Sequence, residues 1–100
     1  MKDTVNGKRT CLSKVNEILD ILQEECAEVV QVISKCRRFG MENTYKDGGT
    51  QREHLIQELG DVTLLIELLK AHGVYTDQEL RAAQTRKSLK LVEWSNIYED

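Results

Sequence analysis

The chain has 100 residues, a net charge of −3, no proline and 40% hydrophobic residues. This length suits a single domain over residues 1–100, and the absence of proline is typical of a mostly helical chain. The basic residues are not gathered into the broad basic surface that stable nucleic-acid binding requires. No apolar run reaches membrane-spanning length, and the first ten residues lack the hydrophobic region of a signal peptide.

The three cysteines are odd in number and lack the paired spacing of a cysteine metal site. Two of them, Cys26 and Cys36, fall among apolar residues at helical spacing, which predicts that they act as small apolar side chains. Reduced cysteines favour a cytoplasmic protein.

The first helix is predicted from about Leu12 to Arg38, after ten residues that we expect to be frayed. Thr10 is a candidate N-cap, and Gly40 is a candidate stop. Alternating steps of three and four indicate a buried seam of Leu12, Val15, Leu19, Leu22, Cys26, Val29, Ile33 and Cys36. At ~1.5 Å per residue this helix is roughly 40 Å long, which two shorter helices would not fully cover. We therefore expect a homodimer or a dimer of dimers.

Two further helices are predicted after a polar loop at residues 40–49, which is either a lid or a plain surface connection. Thr50 with Glu53, and Thr76 with Glu79, have the spacing of capping boxes. The second helix is expected to end near His72 at Gly73. Because an internal glycine costs about 1 kcal/mol relative to alanine, Gly60 suggests close approach of another backbone or of a ligand.

Four carboxylates stand beside the apolar seams of the first two helices: Glu25, Glu28, Glu58 and Asp61. Each pair has the same register against its own seam. One isolated acidic pair is typical of a solvated helix face, but two matched pairs beside apolar residues predict one shared site. Close carboxylates repel unless they are protonated or bridged by cations, so we interpret the four as metal ligands.

Oxygen donors without a supporting histidine or cysteine cluster suit Mg²⁺, or alternatively Mn²⁺, better than zinc. Such ions bind substrate phosphates and activate water. Basic side chains able to hold further phosphate oxygens are Lys35, Arg38, Lys87 and Lys90. A di-iron bundle would need a histidine three residues after a glutamate, and residues 28 and 61 are acidic instead.

Residues 12–92 resemble the MazG-like all-α nucleotide pyrophosphohydrolases, especially the compact single-domain forms of phages and bacteria. The resemblance rests on Glu25-x-x-Glu28, Glu58-x-x-Asp61 and the Ser34-Lys35 and Arg38-Phe39-Gly40 context. It implies three main helices per chain in a four-helix-type core formed by homodimerisation.

The resemblance also implies Mg²⁺-dependent hydrolysis of a nucleoside triphosphate between the α and β phosphates. Glu25, Glu28, Glu58 and Asp61 would be the metal ligands, and Glu25 would orient or deprotonate water. Lys87 and Lys90 match the position of phosphate-binding bases on the last helix. The alternatives are a helical interaction module whose acidic stripe meets a basic partner, and a metal-bound regulatory relative without catalysis.

Overall fold

The computed structural model describes residues 4–5, 8–9, 11–44 and 48–100. Most of them form three helices, α1 (Cys11–Phe39), α2 (Gln51–Ala71) and α3 (Asp77–Trp94). Two strands of two residues, β1 (Thr4–Val5) and β2 (Lys8–Arg9), pair antiparallel before α1. The prediction of a helical fold with three main helices is confirmed, with this strand pair as an addition. The proposed Thr10 cap and the side chain of Leu12 lie outside the described residues.

The helix ends follow the predicted capping residues. The Thr50 hydroxyl accepts a hydrogen bond of 3.0 Å from the Glu53 amide at the start of α2. At the start of α3 both bonds of the capping box form, because Thr76 accepts from the Glu79 amide and its own amide donates to the Glu79 carboxylate. Gly73 ends α2 with a φ of 81°, a backbone conformation that other residues rarely adopt.

The connection between α1 and α2 is attached to the first turn of α2. The Gln51 amide donates to the Asn43 carbonyl at 2.9 Å, and the Arg52 amide donates to the Met41 carbonyl at 2.8 Å. Thr44 and Thr50 form an isolated antiparallel bridge. Residues 45–47 lie outside the described part of the chain, so a lid in this loop stays a prediction.

Helices α1 and α2 pack side by side in opposite directions. Near the start of α1, Ile18 forms a buried cluster with Leu65 and Leu69 from the second half of α2. Near the end of α1, the buried Cys36 thiol donates to the carbonyl of Gln51, the first residue of α2, at 3.8 Å. These two contacts fix the antiparallel register that places the middle of α1 beside the middle of α2.

The row of α1 that faces α2 agrees with the predicted seam only in part. Leu19 is 45% exposed and Ile33 is 46% exposed, and Cys26 is also exposed. The less exposed row consists of Val15, Ile18, Leu22, Glu25, Val29, Val32 and Cys36. Two neighbouring rows of α1 carry apolar residues at steps of three and four, so the spacing alone fits either one. The less exposed row includes Glu25, so the Glu25 carboxylate lies where α1 and α2 are in contact.

Helix α3 packs only lightly on the other two, and none of its described side chains is buried. Tyr75 holds the preceding turn against α2, because its hydroxyl donates to the Ile66 carbonyl at 2.7 Å. A salt bridge of 3.0 Å joins Lys70 and Asp77 on the surface. The radius of gyration is 17.7 Å, compared with about 13 Å for a compact domain of this length. A single chain therefore does not form a four-helix core.

Gly60 lies on an open part of the surface of α2. A β-carbon added at Gly60 would meet no other atom within 4 Å among the described residues, so the expectation of a close backbone approach is wrong within the chain. Among the described residues, none of the helices combines the length and the apolar character needed to cross a bilayer.

Candidate metal centre

The fold brings carboxylates of α1 and α2 together at the middle of the helix pair. Glu25 belongs to the row of α1 that faces α2, and Glu58 belongs to the facing row of α2. Both are half-buried, at positions where neighbouring turns of the helices place apolar side chains. Asp61 lies one turn further along α2 and is exposed. The antiparallel register therefore converts two distant sequence motifs into one cluster.

Three of the four predicted ligands are close enough to hold one ion. Carboxylate oxygens of Glu25, Glu58 and Asp61 lie within 4.8 Å of one another. Oxygen donors from two rigid helices are the ligands that hard divalent cations prefer. The arrangement thus offers a partly enclosed oxygen site with one open side.

The carboxylates of the cluster raise the pKa of Glu25 above its ordinary value of 4.5. The largest cause is a side-chain hydrogen bond with Glu58, followed by burial and by the negative charges of Asp61 and Glu58. Each of these effects disfavours the ionised form of Glu25. Protonation of Glu25 or binding of a cation would relieve the repulsion within the cluster.

The buried oxygen of Glu58 fits the presence of a cation. Its Oε2 atom is shielded from solvent and has no hydrogen-bond partner among the described residues. A buried carboxylate oxygen without a partner is costly, and a coordinated cation would satisfy it. The donor set and this oxygen together fit a hard divalent ion.

Glu28 is placed differently from the other three predicted ligands. It is exposed one turn after Glu25 on α1 and lies outside the group of three carboxylates. As a fourth ligand it stays a prediction.

Two of the predicted phosphate-binding residues lie well along α1 from the carboxylates, and the other two lie on α3. Lys35 and Arg38 lie ten and thirteen residues after Glu25, about 15 and 20 Å further along α1. The Arg38 guanidinium stacks 5.2 Å from the centre of the Phe39 ring. Lys87 and Lys90 line a groove of about 250 Å³ on α3, together with Leu91 and Trp94. These four basic residues stay predictions.

An apolar pocket next to the carboxylates was not predicted from the sequence. It has a volume of about 240 Å³ and is lined by Ile21, Glu25, Asp61, Leu64 and Leu65. Part of the signal was present, because each apolar residue lies one helical turn from a cluster carboxylate, but the register between the two helices was not.

The fold and the site define a mainly helical protein whose antiparallel helix pair carries a cluster of three carboxylates that could hold a cation. The model of the MazG nucleotide pyrophosphohydrolase domain matches residues 13–78, and the chain belongs to this family. Membership points to a metal-dependent hydrolase of the nucleotide pyrophosphohydrolase type. None of the curated proteins and none of the solved structures compared with the chain matches it significantly.

Proposed function

We propose that the protein hydrolyses a nucleoside triphosphate between the α and β phosphates, releasing a nucleoside monophosphate and inorganic diphosphate. The observation that carries this proposal is the half-buried cluster of Glu25, Glu58 and Asp61 within a MazG domain. We propose Mg²⁺ as the physiological ion and Mn²⁺ as a substitute, because the donors are all carboxylate oxygens.

The carboxylates of α1 and α2 have complementary roles in this proposal. Glu58 and Asp61 anchor the cation from α2, and Glu25 completes the site from α1, with Glu28 as the predicted fourth ligand. A bound divalent cation offsets phosphate charge and makes water a better nucleophile near neutral pH. Glu25 orients the attacking water and accepts its proton at a carboxylate oxygen. The packing of the two helices holds these groups in position before the substrate binds.

The phosphate chain would need positive charge beyond the cation. Lys87 and Lys90 are three positions apart and share one face of α3. This spacing allows both ammonium groups to contact one polyphosphate. Lys35 and Arg38 form a second basic group at the end of α1. Both pairs lie away from the carboxylates along the chain, so we assign them to the outer phosphates or to a site completed by a second copy.

We also propose that two copies assemble as a homodimer, or as a dimer of dimers. The outward row of Leu19, Cys26 and Ile33 on α1 repeats at intervals of seven residues, which is the spacing of a helix-packing stripe. Among the described residues no side chain is fully buried, so a single chain has a small core. Packing of a second copy against this row would cover apolar surface that one chain leaves in water.

Release of inorganic diphosphate from a panel of ribo- and deoxyribonucleoside triphosphates tests the catalytic proposal. We expect turnover with Mg²⁺ or Mn²⁺ and none with excess chelator. The products distinguish the cleavage position, because attack at the α phosphate gives monophosphate and diphosphate only. Metal binding without turnover would favour the regulatory alternative, and absence of both would favour the interaction module. Light scattering across a range of protein concentrations tests the assembly.

A further inference from the structure

The pocket beside the metal centre has an apolar wall that cation binding does not require. Glu25 and Asp61 form its charged side, and Ile21, Leu64 and Leu65 form the other. Leu65 is 8% exposed and is held in place by packing, because it also belongs to the buried cluster between α1 and α2. Ile21 and Leu64 are 41% and 56% exposed. Two large apolar side chains therefore remain open to solvent beside a charged cluster.

The position of this wall follows from the antiparallel register of the two helices. Ile21 lies one turn before Glu25 on α1, whereas Leu64 and Leu65 lie one turn after Asp61 on α2. Because the helices run in opposite directions, these two displacements point towards the same end of the helix pair. The apolar wall is thus on one defined side of the carboxylates, the side of Ile18 and Leu69.

We propose that this pocket holds the nucleoside end of the substrate, with Ile21 and Leu64 packing against its sugar and base. This inference rests on the proposed pyrophosphohydrolase function. A triphosphate held at the carboxylates has its organic end within a few bonds of them, and the pocket lies directly beside Glu25 and Asp61. Its volume of about 240 Å³ suits one part of a nucleotide, because whole drug-sized ligands occupy about 300–1,000 Å³.

The chemistry of the wall also predicts how bases are distinguished. Apart from the two carboxylates, the described residues that line the pocket offer neither a side-chain hydrogen-bond donor nor an acceptor. Apolar contacts discriminate by about 10- to 200-fold, far less than a site built from directed hydrogen bonds. We therefore expect several nucleoside triphosphates to be hydrolysed, with differences in kcat/KM within this range.

Leu64→Ala tests the proposal, with Ile56→Ala as a matched control. Both residues are exposed on α2, but Ile56 is 52% exposed and does not line the pocket. We expect Leu64→Ala to raise KM for the triphosphate about tenfold, with little change in kcat. Inhibition by inorganic diphosphate, which lacks a nucleoside, should be unchanged. In titration calorimetry, Leu64→Ala should bind the nucleoside monophosphate product more weakly than Ile56→Ala does. This measurement does not depend on turnover.

The possible failures are distinguishable. If the wild-type protein releases diphosphate from no triphosphate, the proposed function fails and the assignment of this pocket fails with it. If the wild type is active and the two variants have equal KM and equal monophosphate affinity, only the pocket assignment is overturned. If Leu64→Ala also shifts the oligomeric state in light scattering, the wall is a contact between copies and the assignment is wrong. Ile21→Ala repeats the test from α1, with circular dichroism to check its helicity.

Discussion

Carboxylate oxygens of Glu25 and Glu58 lie within 4.8 Å of each other across the packed helices α1 and α2, in rows whose other members are mostly apolar. Two carboxyls at such positions weaken the packing of the helix pair when both are ionised. Sites that bind charged ligands commonly contain charged groups that are unfavourable for folding. Stability without metal and activity with metal should therefore respond in opposite directions to changes at these residues.

Glu58→Gln and Asp61→Asn should abolish diphosphate release while preserving or raising the melting temperature of the metal-free protein. Each substitution removes negative charge from the crowded cluster, but the neutral amide does not supply the charge that holds Mg²⁺. For the wild type, Mg²⁺ at about 100 times its dissociation constant should stabilise the fold by about 2.7 kcal/mol. Neither variant should show that gain. Melting curves with Mg²⁺ and with chelator, together with turnover assays, provide the measurements.

Glu67→Gln is the matched control for these variants, because Glu67 is an exposed carboxylate on the same helix. It should keep both activity and the Mg²⁺-dependent rise in melting temperature. Comparable turnover by wild type, Glu58→Gln and Asp61→Asn at saturating Mg²⁺ would contradict the proposed mechanism.

The raised pKa of Glu25 predicts that its carboxyl destabilises the metal-free fold as the pH rises above about 4.5. A carboxyl with a higher pKa in the folded state binds its proton more tightly there than in the unfolded chain. Its contribution to stability is therefore present at low pH and lost as the pH rises through the folded pKa. Urea unfolding in chelator should show a larger loss for wild type than for Glu25→Gln. Parallel pH profiles for the two proteins would refute this assignment.

Gly60→Ala should stabilise the protein by about 0.5–1 kcal/mol, because Gly60 lies inside α2 and an added β-carbon meets open space. For a chain of this size, the melting temperature should rise by about 4–8 °C per kcal/mol. Activity gives the second measurement. A more stable variant with normal turnover would show that neither the substrate nor a second copy of the chain contacts Gly60. A fall in melting temperature would contradict the prediction and would indicate that a second copy covers α2 at this position.

The two described cysteines should differ in reactivity, because Cys26 is exposed and Cys36 is buried. In a Cys11→Ser background, a thiol reagent should label Cys26 in the native protein and Cys36 only after unfolding. If copies pack through the outward row of α1, labelling of Cys26 should slow as protein concentration rises. A rate that stays constant while light scattering reports assembly would exclude that row from the interface.

Tyr75→Phe should lower the free energy of unfolding by about 1 kcal/mol, because it removes the hydrogen bond to the Ile66 carbonyl. Tyr98→Phe is the comparison, since its hydroxyl pairs with Ser88 at the exposed surface. This second change should have a smaller effect. Equal losses in urea unfolding would show that Tyr75 does not secure the turn between α2 and α3.

The sequence predicted the helices well because their ends depend on local chemistry. Thr50 and Thr76 need only the amide three residues later, and Gly73 needs only its own backbone freedom. The buried row of α1 was harder to predict. Leu19 and Ile33 belong to a row with the same periodicity as Ile18 and Val32, and only the position of α2 decides between them.

The candidate site was only partly predicted, because its geometry also depends on how α1 and α2 pack. Spacing placed Glu25 and Glu58 in matching registers, and the antiparallel packing brings them together with Asp61. Glu28 is exposed and lies outside that group, although its spacing on α1 matches that of Asp61 on α2. The apolar wall formed by Ile21 and Leu64 depends on the register between helices, so no single stretch of sequence contains it.

The light packing of α3 has a consequence for the order of unfolding. A helix with no buried side chain gains little from the tertiary structure, and its backbone amides should exchange with deuterium through local opening. The amides of α2 around Leu65 and Leu69 should instead exchange only when the whole helix pair separates. If assembly covers α3, its protection would increase with protein concentration while that of α2 changes less. Helices α2 and α3 would then report two different equilibria, α2 that of folding and α3 that of association.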